Sequence, residues 1–353
     1  MITYFEAKDY RCLRDVKVSL TPLHAFIGPN DSGKSTLLRG IGTAVQLGGA
    51  TFRQSPMFAE VPNTRDVRHG AHGAQLLVRS AGDYSLRIGA DDSLEEATAP
   101  VAEKPRQWVP RDPTRASSYD TAHLLGRVAA IRFDTDRLRQ TSRAIPEGKE
   151  VSFADSRGKG LPGIYQNLIF RADGTFDEIS RSVAGLFPTV SRLQLGSVAQ
   201  DHIELRAHLR DGSVIPAADM SEGLLYYLGF AALQHVSDVG TLLVEEPENG
   251  LHPSRIADIV RILRDLSEKR VQVLIATHSP LVVNELQPKE VTVVVRPSTE
   301  EGTKVYPIEK TPNFAKRSKL FSLGELWLSY ADGELEKPLI EGVERVGDEE
   351  ATG

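Results

Sequence analysis

Hydrophobic and polar positions divide the chain into a strand-rich first half and a last third in which strands alternate with helices. Ile2-Thr3-Tyr4-Phe5-Glu6-Ala7 and Val16-Lys17-Val18-Ser19-Leu20 read as strands flanking a polar turn, and Leu23-His24-Ala25-Phe26-Ile27 is a short apolar run that stops at glycine. A helix is expected from Lys34 to about Val45. Gln75 to Val78 and Tyr84 to Ile88 predict a hairpin around Ala81-Gly82-Asp83. Residues 91–120 turn acidic and proline-rich, with Trp108 as a lone large anchor, and read as a surface loop. Val128 to Phe133 returns to strand and opens a mostly helical insertion, 134–190, with helices around Gly163 to Phe170 and Phe176 to Phe187. Ile203 to Leu209 and Ser213 to Ile215 form an antiparallel pair. Leu242 to Val244, Gln272 to Ala276 and Thr292 to Val295 are apolar enough to be buried on both faces. They alternate with helices, as a parallel α/β sheet requires. The helix from Ser254 to Glu268 gathers Ile256, Ile259, Val260, Leu263 and Leu266 on one face.

Composition narrows the class. A chain of 353 residues can build one large domain or two joined lobes, and its net charge of −6 argues against a surface that coats nucleic acid as a whole. One cysteine, Cys12, excludes an internal disulfide and a cysteine-built zinc site. No apolar run reaches the roughly 18 residues of a membrane helix, and the first residues lack a secretory pattern, so a cytoplasmic location is expected. There is no heptad pattern for a coiled-coil arm.

Gly28-Pro29-Asn30-Asp31-Ser32-Gly33-Lys34-Ser35 fits G-x-x-x-x-G-K-[ST], with a strand before it and Thr36-Leu37-Leu38 opening a helix after it. The two glycines let backbone N–H groups turn toward phosphate oxygens, and the helix N-terminus adds its positive end. Lys34 supplies charge to the β- and γ-phosphates of ATP, and Ser35 a hydroxyl for Mg²⁺. Leu242-Leu243-Val244-Glu245-Glu246-Pro247-Glu248-Asn249-Gly250-Leu251-His252-Pro253 ends a buried strand in two carboxylates, at the sheet edge where nucleotides bind. Glu245 is expected to hold Mg²⁺ through water, and Glu246 to polarise the attacking water. Leu274-Ile275-Ala276-Thr277-His278-Ser279-Pro280 ends the next strand in a histidine that can contact the γ-phosphate. Each acid or histidine alone suits an ordinary strand end. Three such elements in order on core strands do not arise easily by chance.

With these motifs the sequence resembles the ABC-class ATPases of the SMC/RecF/OLD kind, among them short bacterial AAA-type proteins carrying EEPENGLHP and THSP. The resemblance runs from the first strand to about Arg296. It implies a P-loop NTPase of ABC-ATPase head type, with a mixed or antiparallel β lobe and a parallel α/β lobe within residues 1–310. It also implies that Met220-Ser221-Glu222-Gly223-Leu224 is a short signature motif, whose Ser221 and Gly223 face the γ-phosphate of an opposite subunit. On residues alone Ser221 is an ordinary helix cap. His278 takes the place of the switch histidine, and Asn249-Gly250-Leu251 that of the loop at the dimer interface. Gln140 is a candidate for the Mg²⁺-sensing glutamine, and Arg11 for a basic residue near nucleotide. Glu245 stands where many relatives have aspartate. The end, residues 313–353, is too short for the nuclease domain of the OLD branch.

The resemblance therefore implies an ATP-hydrolysing homodimer, closed head-to-tail over two Mg²⁺-ATP, that drives or gates a separate effector in DNA-linked processes such as anti-phage defence or repair. An ATP-dependent clamp or sensor with little turnover, and a transporter's nucleotide-binding subunit, are the alternatives. Outside the motifs, His69 and His72 are expected to be turn residues rather than metal ligands. Arg132, Arg137, Arg139 and Arg143 suit either DNA contact or a solvated charged face. Residues 311–353, with Leu320, Phe321, Leu323, Leu326, Trp327 and Leu328, suit either core packing or a partner-docking element.

Overall fold

The computed structural model describes residues 1–48, 58, 62–80, 82–100, 109–110, 127–149, 151–236, 239–269, 271–311 and 314–331. The chain begins with strands β1 (Tyr4–Tyr10), β2 (Leu13–Ser19) and β3 (Leu23–Ile27), then helix α1 (Lys34–Gly48). Strands β4 (Gly73–Arg79), β5 (Gly82–Gly89), β6 (Leu94–Pro100), β7 (Val109–Pro110) and β8 (Val128–Ile131) follow. Next come α2 (Thr135–Leu138), β9 (Ser142–Arg143), α3 (Leu161–Arg171) and α4 (Thr175–Leu186). A second antiparallel segment, β10 (Val190–Ala199), β11 (His202–Leu209) and β12 (Val214–Pro216), leads to α5 (Glu222–Leu233). The last third is β13 (Thr241–Glu245), α6 (Pro253–Glu268), β14 (Gln272–Thr277), α7 (Pro280–Asn284), β15 (Val291–Val295) and β16 (Lys304–Pro307). It finishes with α8 (Phe314–Arg317) and α9 (Leu323–Ala331).

These strands make three sheets among the described residues. One is antiparallel, in the order β2-β1-β4-β5-β6-β7; a second pairs β10, β11 and β12, with β9 on β11. The third is ordered β16-β15-β3-β14-β13-β8, and all its pairings are parallel except that of edge strand β16. Strands β3, β14 and β15 are buried along their whole length, which explains why they read as apolar runs rather than alternations. Their alternate side chains enter two different cores. Leu242, Val244, Val273 and Ile275 face the core shared with α3, α4, α5 and α6, whereas Leu243, Leu274, Ala276 and Phe26 face the core shared with α1 and the antiparallel sheet. Helix α1 touches both sheets and is buried at Leu37, Leu38, Ile41, Ala44, Val45 and Leu47.

One expectation needs correction, one strand was not foreseen, and one open alternative is resolved. Residues 94–100 belong to strand β6 rather than to a surface loop: Leu94 and Ala97 are buried, and buried Glu96 accepts a hydrogen bond from Tyr84 Oη at 3.2 Å. Of the rest of that stretch, 101–108, with Trp108, and 111–120 lie outside the described residues. Strand β10, unforeseen beside the helical insertion, carries register shifts between Val190 and Arg192 and between Ser197 and Ala199 that break its period of two. Trp327 and Leu326 are buried in the main core, with α9 fixed to α7 through Gly324 N–H donating to Asn284 Oδ1 at 2.7 Å. Those two side chains are packing residues and not a docking surface, whereas Leu320, Phe321 and Leu328 are exposed.

Candidate functional site

The loop from Gly28 to Gly33 leaves the carboxyl edge of the parallel sheet from an inner strand, β3. A Cβ at Gly28 would stand 2.1 Å from the Val294 carbonyl oxygen, so only glycine lets the loop lie this close to β15. Gly33 has φ of 107°, and Asp31 is also left-handed at φ of 63°. Thr303 Oγ1 braces the turn by donating to Ser32 O at 2.8 Å. Asn30, Asp31 and Ser35 are exposed, while Ser32 and Lys34 are buried. Lys34 Nζ folds back over its own loop and donates to Gly28 O at 2.8 Å and Pro29 O at 2.7 Å. Burial lowers the pKa of Lys34, opposed by Glu246, Glu248, Asp31 and Glu245 in that order. An ammonium surrounded in this way is a ready partner for a polyphosphate.

Ser35, Thr36 and Glu245 line one cavity of about 720 Å³, together with Arg11, Arg39, Arg132 and Arg157. Glu245 closes β13, and Glu246 follows with φ of 49°, its N–H held by Ala276 O at 2.8 Å. Left-handed backbone at a glutamate is uncommon and marks a chain over-determined by its surroundings. Glu246 Oε2 accepts from Arg132 Nη2 and from Asn249 Nδ2, both at 2.8 Å. Arg132 Nη1 also lies 3.7 Å from Glu245, so one guanidinium bridges the two acids. His278, at the end of β14, stands between Glu246 and Glu248, with Nδ1 at 3.9 Å and 3.5 Å from their carboxylates.

The other expected residues fall in two groups. Arg11 comes into the cavity, paired with Asp66 at 2.6 Å and left-handed at φ of 51°. Ser221 caps α5, where its Oγ accepts from Leu224 N–H at 3.4 Å; it is exposed and does not line the cavity. Gly223 lies near the Asn249-Gly250 loop, a Cβ there reaching 3.9 Å from Gly250 O. Glu222 is exposed. Gln140 follows α2 and is not among the residues that line the cavity. The residue from this region that reaches the acids is Arg132. Arg137, Arg139 and Arg143 lie 3.9 Å, 3.8 Å and 3.6 Å from Asp155, Asp136 and Asp201, a charged face rather than a stripe of free cations. No cluster of three or more His, Cys, Asp or Glu side chains is arranged to hold a metal among the described residues, which includes the neighbourhood of His69 and His72.

Residues 23–284 match the family described as "AAA domain, putative AbiEii toxin, Type IV TA system", and residues 1–44 match the "AAA ATPase domain" family. The first match takes in the phosphate-binding loop, both acids, Ser221 and His278. The chain belongs to this AAA domain family. A related protein, the OLD nuclease of Thermus scotoductus (strain ATCC 700910 / SA-01), is 23% identical over 317 residues, covering 80% of this chain and 59% of that protein. The chain thus spans less than two thirds of the length of this curated relative.

Among solved structures, an Smc head bound to the C-winged helix domain of ScpA resembles the chain with a TM-score of 0.59 at 16% identity. That match covers 86% of this chain and 97% of the other. An Smc head domain with a coiled coil and joint from Pyrococcus yayanosii gives 0.56 at 11% identity, covering 90% and 99%. The AAA domain here is therefore an OLD/RecF-like ATPase domain with the P-loop fold of Smc heads. No helix among its described residues is long and apolar enough to cross a membrane.

Three side chains of this AAA domain escaped sequence reasoning in their site roles: Arg132, Asn249 and Glu248. Arg132 and Glu246 are 114 positions apart, and no local pattern signals that pairing. Asn249 and Glu248 stand inside the motif that carries Glu246, and only their contacts give them a part.

Proposed function

We propose that this AAA-family ATPase closes on a second copy of itself across two Mg²⁺-ATP molecules, and that closure and hydrolysis gate a separate effector. The observation that carries this reading is a division within one chain. Lys34, Ser35, Glu245, Glu246 and His278 gather at the edge of one sheet, while Ser221 stands exposed at the start of α5, its hydroxyl engaged in capping that helix. A helix N-terminus with a capping hydroxyl suits an anion presented by another molecule. In this mechanism the loop 28–33 and Lys34 hold the phosphates, Thr36 and Arg11 flank them, and Ser221 and Gly223 of the opposite copy close over the γ-phosphate. Ser35 and Glu245 would hold Mg²⁺, which supplies neutralising charge at the phosphates. Glu246 orients the water and takes its proton, and His278 contacts the γ-phosphate. Kinship with an OLD nuclease supports a DNA-linked setting, such as anti-phage defence or repair, with the effector as the output.

A second reading, an ATP-dependent clamp with little turnover, is favoured by one contact: Glu246 Oε2 already receives two hydrogen bonds, from Arg132 and Asn249. Steady-state phosphate release separates the two. Hydrolysis predicts turnover in the wild type that Lys34→Ala and Glu246→Gln both abolish. Nucleotide binding with no difference in phosphate release among the three proteins supports the clamp and removes the hydrolytic mechanism.

A further inference from the structure

Glu248 is more than nine-tenths buried, at 8% side-chain exposure, beside two other acids of the same turn. Its Oε1 accepts from Thr277 Oγ1 at 2.6 Å and from His278 N–H at 3.3 Å. Thr277, itself fully buried, accepts in turn from Ser279 N–H at 2.9 Å. One carboxylate therefore grips the end of β14 at Thr277 and His278 directly, and at Ser279 through the threonine hydroxyl. Its other oxygen, Oε2, is buried with no hydrogen-bond partner. An anion held half-satisfied in the interior is costly, and a neutral side chain of the same shape would avoid that cost. The imidazole of His278 stands beside it, with Nδ1 3.5 Å from Oε1, and the same nitrogen lies 3.9 Å from Glu246 Oε1.

We propose that Glu248 is a positioning residue: it fixes where the His278 ring stands relative to Glu246, so that the γ-phosphate contact and the water-activating acid act as one unit. This rests on the roles given above to His278 and Glu246. The turn from Glu246 to Asn249 is closed on itself, since Asn249 N–H donates to Glu246 O at 3.1 Å and Asn249 Nδ2 to the Glu246 carboxylate. Through Glu248 the same turn holds the histidine. Displacement of a reacting group by about 1 Å can cost as much as 10²-fold in rate, so a brace of this kind acts on the chemical step more than on ATP capture.

The test has an arm that needs no turnover. In the full chain carrying ring-labelled histidine, His278→Ala identifies the His278 signal among those of the nine histidines. Glu248→Ala is expected to shift or broaden that signal selectively. Glu248→Gln, whose amide oxygen still accepts from Thr277, returns it toward the wild-type position. In the kinetic arm, Glu248→Ala lowers kcat roughly tenfold or more with KM for ATP unchanged, and Glu248→Gln recovers most of the loss. In a His278→Ala background Glu248→Ala adds nothing. An unmoved His278 signal, a rise in KM that accounts for the loss, or losses that multiply in the double variant would each overturn the proposal. A wild type without turnover defeats the hydrolytic reading separately, because the spectroscopic arm still reports on Glu248.

Discussion

The antiparallel sheet of β1, β2, β4, β5 and β6 and the parallel sheet of β3, β8, β13, β14 and β15 solve the same problem differently. In the antiparallel sheet strands β1 and β2 alternate buried positions with exposed or half-exposed ones, and charges sit along the strands in cross-strand or near-neighbour pairs. Arg79 with Asp83 at 2.7 Å and Arg87 with Glu95 at 2.9 Å are examples. The parallel sheet has cores on both faces, so its strands carry almost no charge along their length. Charge collects where the strands stop. Glu245, Glu246, Glu248 and His278 lie at or within three residues of a strand's carboxyl end, Lys34 follows the loop that leaves β3, and there too are the left-handed Asp31, Gly33 and Glu246. The first sheet spreads its polar groups for solubility and pairing. The second concentrates buried charge and backbone strain at one edge, the place where binding energy can offset both.

Variants that break this contrast should differ by orders of magnitude in what they change. Lys34→Ala should lower ATP turnover by roughly 10²- to 10³-fold or more while leaving the melting temperature nearly unchanged, as measured by phosphate release and calorimetry. Glu246→Gln should lose roughly 10²- to 10⁴-fold in kcat yet keep nucleotide affinity, as titration calorimetry can show. Trp327→Ala, in the core and outside the phosphate-binding loop and acidic turn, should do the reverse. It should cost about 3–5 kcal/mol of stability in denaturant unfolding, with the nucleotide affinity of the folded fraction intact.

His24 sharpens the contrast, because it is a titratable group inside the parallel sheet away from its edge. Burial lowers its pKa to about 4, and its ring nitrogens contact Thr21 Oγ1 at 3.0 Å and Thr292 Oγ1 at 2.9 Å. The unfolded chain binds the proton at about pH 6.5 and the fold resists it. Stability from this group is therefore complete above about pH 6.5 and is lost as pH falls toward 4, by a few kcal/mol in all. Unfolding measured across that window should show the loss, and His24→Gln should remove it. Smallest of all, Ser221→Ala should cost about 1 kcal/mol through the lost cap of α5, read by the same unfolding curves.

Much of the parallel sheet could be read from sequence because its signals are local. An apolar run, a glycine loop and a charged strand end lie within a dozen residues of one another, and the same short stretches place Lys34, Glu245, Glu246 and His278. The antiparallel regions hid more. The acidic run at Glu95 and Glu96 disguised β6, although Glu96 is buried against Tyr84. Bulges at both ends of β10 removed the alternation that would have announced it. Apolar density around Trp327 suited a core and an interface equally, and only tertiary packing chose between them. Gln140 was picked by residue type, and the side chain that meets the acids is Arg132, whose link to Glu246 joins strands adjacent in the sheet but 114 residues apart in sequence.

The central claim is that ATP joins two heads, and light scattering after sizing chromatography of Glu246→Gln, with and without Mg²⁺-ATP, tests it most directly. The account predicts a doubling of mass only with ATP, abolished when Ser221→Arg is added to the same chain. An unchanged mass with ATP demonstrably bound, or a dimer indifferent to Ser221→Arg, would contradict it.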